Sequence, residues 1–188
     1  EIIYDIYKVM KKEDYFVFSK ASGVAALYCV LAEKGIIPKD KLVYYLKNYP
    51  LPSTKVPGVI FEGGSLGHGL PFSVGLALAI KRDKKKGRVF CLVGDGCIQE
   101  GTTWECLLFK RQHKLNNLKI IYDANELQAC GRVADILKPP YCFLEDMGVD
   151  VRSTTKGDGV EFLEDKVESH YLNLDKATYE EAICNLTN

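Results

Sequence analysis

The sequence predicts an α/β fold, a parallel sheet with helices on both faces, and three observations carry that reading. Residues 88–93 are a continuous apolar run of the kind that fills a sheet covered on both sides, and residues 118–122 form a second. Between them, residues 100–114 place Trp104, Leu107, Leu108 and Phe109 in a helical pattern, with Glu100 near the positive end of the helix dipole. Strand, crossover helix and strand in that order imply parallel pairing and a right-handed connection.

The remaining elements follow in order. Residues 1–14 carry Ile2, Ile3, Ile6, Val9 and Met10 on one helical face, and Tyr15-Phe16-Val17-Phe18 reads as a short buried strand. Ser19 and Ser22 are candidate caps for a helix over 23–34 that stops at Gly35, a natural C′ residue. Pro38 opens a helix over 39–47. Prolines and glycines then break the pattern from 48 to 69, and a loop of that length inside a compact domain is usually functional. Gly67 and Gly69 there permit either a close ligand approach or merely a tight turn. A helix over 70–86 is apolar nearly all round. After Gly131 the pattern weakens: a short helix over 133–137, a break at Pro139-Pro140, another helix over 143–147, a minimal strand at Val149-Asp150-Val151 and a polar glycine loop at 156–160. Thr178 and Glu181 have capping-box spacing before a last amphipathic helix.

With 188 residues, 47% of them hydrophobic, the chain suits one domain over 1–188 with a real core, its tail from 138 to 188 shortened or irregular. Lysine plus arginine equal aspartate plus glutamate at 25 each, so no global field argues for nucleic acid or a membrane surface as partner. The basic run over 81–88 is a solvated helix end. Seven cysteines without a CxxC pair suit reduced thiols in a cytoplasmic protein, and no apolar stretch is of spanning length. The chain starts on Glu1, which leaves a fragment of a longer chain open.

The chemistry sits where the two apolar runs end. One ends in Val93-Gly94-Asp95-Gly96-Cys97, the other in Tyr122-Asp123-Ala124-Asn125-Glu126-Leu127-Gln128. In a parallel unit both ends fall on one edge of the sheet, where ligands of open α/β folds collect. Gly94 and Gly96 let the chain turn off the strand and bring bare N–H groups to a phosphate. Asp95 cannot neutralise a diphosphate without a bridging cation. Mg²⁺ prefers six oxygens, and Asp95, the Asn125 side chain, the Leu127 carbonyl, two phosphate oxygens and a water supply them. Singly, Asp-Gly and Asn are ordinary turn formers. Their pairing, each directly after an apolar strand and each followed by glycine at 96 and 131, is much more specific. Of the histidines, His113 reads as a surface residue at a helix end, His68 lies between two glycines, and spacing alone leaves His170 undecided. No Ser-His-Asp set, metal-ligand cluster or Rossmann glycine motif can be assembled, and Gly94-Asp95-Gly96 lacks the ending of a P-loop.

These residues resemble the thiamine diphosphate-binding half of the transketolase family. The resemblance rests on residues 63–70 (Gly-Gly-Ser-Leu-Gly-His-Gly-Leu), 94–101 (Gly-Asp-Gly-Cys-Ile-Gln-Glu-Gly), 123–128 and Gly131-Arg132, in matching order and spacing across 15–137. It implies the thiamine diphosphate-binding fold, with Mg²⁺ on Asp95, Asn125 and the Leu127 carbonyl. It implies that Gly94 and Gly96 lie against the diphosphate and Gly64 and Leu66 against the cofactor's rings. Glu100 would sit near an interface where paired sites communicate, and His170 near diphosphate and substrate; these two are the catalytic candidates.

Family chemistry transfers a two-carbon ketol unit between sugar phosphates, the cofactor taking the hard step. It also needs a glutamate from a pyrimidine-binding domain that these 188 residues lack. The resemblance therefore implies a separate pyrimidine-domain chain, in a heterodimer or heterotetramer, as in split transketolases; the alternative is a fragment of a longer protein. Ser19-Lys20-Ala21-Ser22 lacks the family's histidine, and Lys47-Asn48-Tyr49-Pro50 lacks its Gly-His-Pro. Ser22, and His68 where glutamine is usual, remain as substrate candidates, for an unusual sugar or keto substrate. The same losses leave a non-catalytic or regulatory partner of a thiamine diphosphate enzyme as the alternative function.

Overall fold

A computed structural model describes residues 1–137 and 140–187. Helix α1 (Ile2–Val9) turns Ile3 and Ile6 inward and leads to β1 (Tyr15–Phe18). A 3-10 turn, Ala21–Gly23, precedes α2 (Val24–Glu33). Neither Ser19 nor Ser22 caps this helix. Gly23 holds the N-cap position and its own N–H bonds the Lys20 carbonyl at 2.9 Å, so the 3-10 turn replaces a side-chain cap. At the other end Gly35, at φ +69°, lets the Ile36 N–H reach the Leu31 carbonyl at 2.9 Å, the closure expected of a glycine at C′. A 3-10 turn after Pro38 enters α3 (Leu42–Asn48). An irregular stretch then leads to α4 (Gly69–Arg82), β2 (Val89–Gly94), the short α5 (Asp95–Ile98) and α6 (Gly101–Gln112). Next come β3 (Leu118–Ala124), a hairpin of β4 (Leu127–Gln128) and β5 (Gly131–Arg132), α7 (Tyr141–Asp146), β6 (Val149–Ser153) and α8 (Lys176–Thr187).

The main sheet is parallel throughout, in the order β1-β2-β3-β6. Successive strand residues face opposite sides, and the core divides accordingly. Val17, Val89, Cys91, Val93, Ile120 and Tyr122 pack with α4, α6 and α7. Phe16, Phe18, Phe90, Leu92 and Ile121 pack with α1 and α2. The sheet is thus covered on both faces, as its continuous apolar strands predict.

Three further expectations change. The minimal strand at 149–151 is a five-residue strand paired with β3 from Val149 opposite Ile120 to Ser153 opposite Ala124. Leu108 and Phe109 do not add core bulk: Leu108 is 62% exposed, while Leu107 is buried. Consecutive helical residues lie about 100° apart, so three in a row cannot all face one sheet. The Phe109 ring instead stacks on His113, 4.0 Å between centroids. Finally, the cap of α8 is Asp175, whose Oδ1 accepts the Thr178 N–H at 2.9 Å; Thr178 and Glu181 form no capping box. Of the expected Pro139-Pro140 break, Pro139 lies outside the described residues, and Pro140 occupies the N-cap position of α7.

Candidate functional site

The parallel register sets Gly94 opposite Asp123, so the chain leaves β2 and β3 side by side at one edge. Asp95 opens α5 directly beyond β2, and Asn125 follows β3. Both side chains are buried, Asp95 3% and Asn125 9% exposed. Asp95 Oδ1 accepts the Tyr122 hydroxyl at 2.7 Å, and Oδ2 accepts the Asn125 N–H at 3.3 Å. Asn125 Oδ1 in turn accepts the Leu127 N–H at 3.1 Å. Between them Glu126 adopts φ +60°, a left-handed conformation uncommon for a residue with a side chain, and this tight turn brings Asn125 and Leu127 to the same spot.

These groups open on a cleft of about 470 Å³. Of the residues singled out from the sequence, Ser22, Gly64, Leu66, Gly94, Asp95, Gly96, Asn125, Leu127 and His170 line it. His68 and Glu100 do not. His68 is exposed at the N-cap of α4, and Glu100 is exposed at the N-cap of α6. Glu100 packs under the glycine loop, where a Cβ on Gly67 would come within 2.7 Å of the Glu100 Cβ. Neither motif glycine has a left-handed φ, and a side chain at either would press on a distant side chain. A Cβ at Gly94 would lie 3.0 Å from the Lys20 stem, and one at Gly96 would lie 2.9 Å from Leu66 Cδ1.

Pattern reading missed four contributors. Tyr122 is one. Lys20 lines the cleft and forms a short ion pair with Asp123, which also accepts the Thr154 hydroxyl. Lys156 lines it too, with Nζ 3.0 Å from His170 Nδ1. Gln128 is 7% exposed, and its Nε2 lacks a hydrogen-bond partner. The advance signals were the place of Tyr122 and Gln128 in the motif that ends the second apolar run, of Lys20 in Ser19-Lys20-Ala21-Ser22, and of Lys156 at the head of the polar glycine loop.

Electrostatically the cleft suits an anion held through a cation. Burial pushes the Asp95 carboxyl up, opposed by the Tyr122 hydroxyl, the Lys20 charge and the Asn125 N–H. A cation at this carboxylate would offset the burial cost. Burial and Lys20 draw Lys156 down, and burial, Lys156 and Lys20 draw His170 down. Among the described residues no three His, Cys, Asp or Glu side chains gather. The donors present are instead one carboxylate oxygen, one amide oxygen and backbone, a set that fits a hard cation completing its shell with phosphate oxygens and water.

Comparison with known proteins gives a consistent result. Residues 9–178 match the family described as transketolase, thiamine diphosphate binding domain. The chain is 38% identical over 196 residues to an apulose-4-phosphate transketolase subunit from Actinobacillus succinogenes, covering 85% of this chain and 71% of that protein. It is 32% identical over 209 residues to the apulose-4-phosphate transketolase subunit of the same name from Phocaeicola vulgatus, covering 92% and 74%. Among solved structures, transketolase from Campylobacter jejuni superposes with a TM-score of 0.86 at 23% identity, a likeness of fold. That alignment covers 97% of this chain but 37% of the Campylobacter chain.

Proposed function

The chain belongs to the transketolase family, through its thiamine diphosphate-binding domain, and from that premise we propose that it is the cofactor-binding subunit of a two-chain transketolase. In this reading it binds thiamine diphosphate and Mg²⁺ and transfers a two-carbon ketol unit between sugar-type substrates in a heterodimer or heterotetramer. The observation that carries the reading is the buried Asp95 and Asn125 pair at adjacent strand ends, opening on a cleft that also holds Lys20 and Lys156. Asp95, the Asn125 side chain and the Leu127 carbonyl would hold the Mg²⁺. The backbone at Gly94 and Gly96 and the ring of His170 would meet the diphosphate, and Gly64 and Leu66 the rings. Bound thiamine diphosphate supplies the electron sink that ketol transfer needs.

Ser22, on the cleft wall, and the exposed His68 are the substrate-side candidates. Glu100, exposed beside the glycine loop, is the candidate for contact between subunits. A separate pyrimidine-domain chain supplies the activating glutamate, and the two relatives' being named as subunits, not whole enzymes, supports such a partner. No helix among the described residues is long and apolar enough to cross a membrane, in keeping with our reading of a cytoplasmic enzyme.

The test is calorimetry of thiamine diphosphate with Mg²⁺ on the assembled two-chain complex. Wild type should bind and Asp95→Ala should not; normal binding in that variant defeats the metal assignment. A complex that binds the cofactor yet moves no two-carbon unit from any ketose donor would instead favour a non-catalytic role.

A further inference from the structure

Lys156 and His170 meet head-on: Lys156 Nζ lies 3.0 Å from His170 Nδ1. An ammonium carries three N–H donors and no acceptor. Nδ1 must therefore accept, and the ring proton must sit on Nε2. Adding a proton to Nδ1 would set N–H against N–H and bring a second cation to the ammonium. The local backbone holds this pair together. The Asp165 N–H bonds the Lys156 carbonyl at 2.9 Å, the Ser169 hydroxyl bonds the Leu163 carbonyl at 2.8 Å, and the Tyr171 ring meets the imidazole edge-on at 4.9 Å between centroids. Among the described residues Nε2 has no hydrogen-bond partner, and His170 lines the cleft.

We propose that Lys156 is a positioning residue that fixes His170 as the neutral Nε2–H tautomer, so that the ring serves the cleft as a hydrogen-bond donor to a ligand oxygen and not as a base. A carbonyl or carboxylate at Nδ1, the commoner arrangement, would select the opposite tautomer and leave Nε2 a lone pair. The charges around the ring agree. Burial, then Lys156 and Lys20, disfavour the imidazolium, while Asp95 and Asp123 act on Lys156 from across the cleft. Only the identity of the ligand oxygen, a diphosphate oxygen, rests on the functional reading above; the tautomer does not.

The test is long-range proton–nitrogen NMR of the full chain labelled with ¹⁵N-histidine. Only three histidines contribute signals, and His170→Gln identifies the relevant pair. Wild type should show the Nε2–H tautomer. Lys156→Met should give a mixture, with the midpoint of ring protonation shifted upward, and Lys156→Arg should restore the single tautomer. An Nδ1–H tautomer in wild type, or an unchanged tautomer and midpoint in Lys156→Met, overturns the proposal. If Lys156→Met fails to fold, as the His68 and His113 signals would reveal, the wild type and Lys156→Arg spectra decide. Thiamine diphosphate with Mg²⁺, added to the labelled chain assembled with its partner chain, should then shift the Nε2 signal. A fixed tautomer that ignores the cofactor would count against the functional reading and leave the role of Lys156 standing.

Discussion

Replacing Tyr122 with phenylalanine removes one oxygen atom from a fully buried ring and tests how Asp95 is held. That hydroxyl donates to Asp95 Oδ1 at 2.7 Å, whereas the carboxylate's other hydrogen bond, from the Asn125 N–H, is long at 3.3 Å. Tyr122 therefore supplies most of the directional restraint on a carboxylate that water scarcely reaches. A hydrogen bond to a charged partner contributes about 1.5–3 kcal/mol, and each ~1.4 kcal/mol is a factor of ten. If that restraint is expressed in the metal site, Tyr122→Phe should weaken Mg²⁺ binding roughly 10- to 150-fold. Loss of a single outer partner of a metal ligand typically costs ~10–100-fold, the same range. The assay is a Mg²⁺ titration of thiamine diphosphate binding in the two-chain complex, with urea unfolding of the chain as control. Phenylalanine keeps the ring and its packing near Tyr141, 6.3 Å between centroids, so a role in packing alone predicts no change in Mg²⁺ dependence. An unchanged half-saturation point would refute the reasoning.

Three stability predictions test the frame behind the site. At Gly69 an added Cβ would lie 2.5 Å from the Ser19 Cβ and 3.1 Å from its Cα, so Gly69→Ala should lower stability by about 1–3 kcal/mol in urea unfolding. Gly75→Ala, on the same helix with nothing within 4 Å of the added atom, should raise it by about 0.5–1 kcal/mol. At Asp14, burial alone raises the carboxyl, but the Arg88 guanidinium and the N–H groups of Lys11 and Arg88 outweigh it and hold the group below the ordinary carboxylate range. A lowered folded-state value contributes stability that is full above the unfolded value near ~4 and is lost as pH falls through the folded one. Asp14→Asn should therefore flatten the acid limb of a plot of urea midpoint against pH below about 4. An acid limb unchanged from wild type would place the acid sensitivity elsewhere.

The sequence made the strands legible because the central ones are buried on both faces and read as unbroken apolar runs. The expected strand 15–18 and the observed β1 (Tyr15–Phe18) coincide. β6 was under-read for the complementary reason. Unlike β1, the other edge strand, which is three-quarters buried, it alternates Val149 and Val151 with Asp150 and Arg152, and two valines are a faint signal. Asp95 and Asn125 stood out because each follows such a run. Lys20, Tyr122 and Lys156 did not, since their roles depend on partners far along the chain: Lys20 meets Asp123 across 103 positions, and Tyr122 meets Asp95 across 27. The glycines of the Gly94-Asp95-Gly96 motif show the same limit from the other side. They read as conformational residues, yet the chain there needs no left-handed turn. A side chain there would instead press on the Lys20 stem over Gly94 and on Leu66 over Gly96, which would have to shift. Each glycine thus marks a long-range contact, and the motif is the imprint of two distant segments that close the cleft over the Asp95 and Asn125 edge. Enlarging Lys20's neighbour should on this argument disturb the Lys20–Asp123 pair before it disturbs α5, so Gly94 belongs with the charged frame of the site and not with the turn that follows the strand.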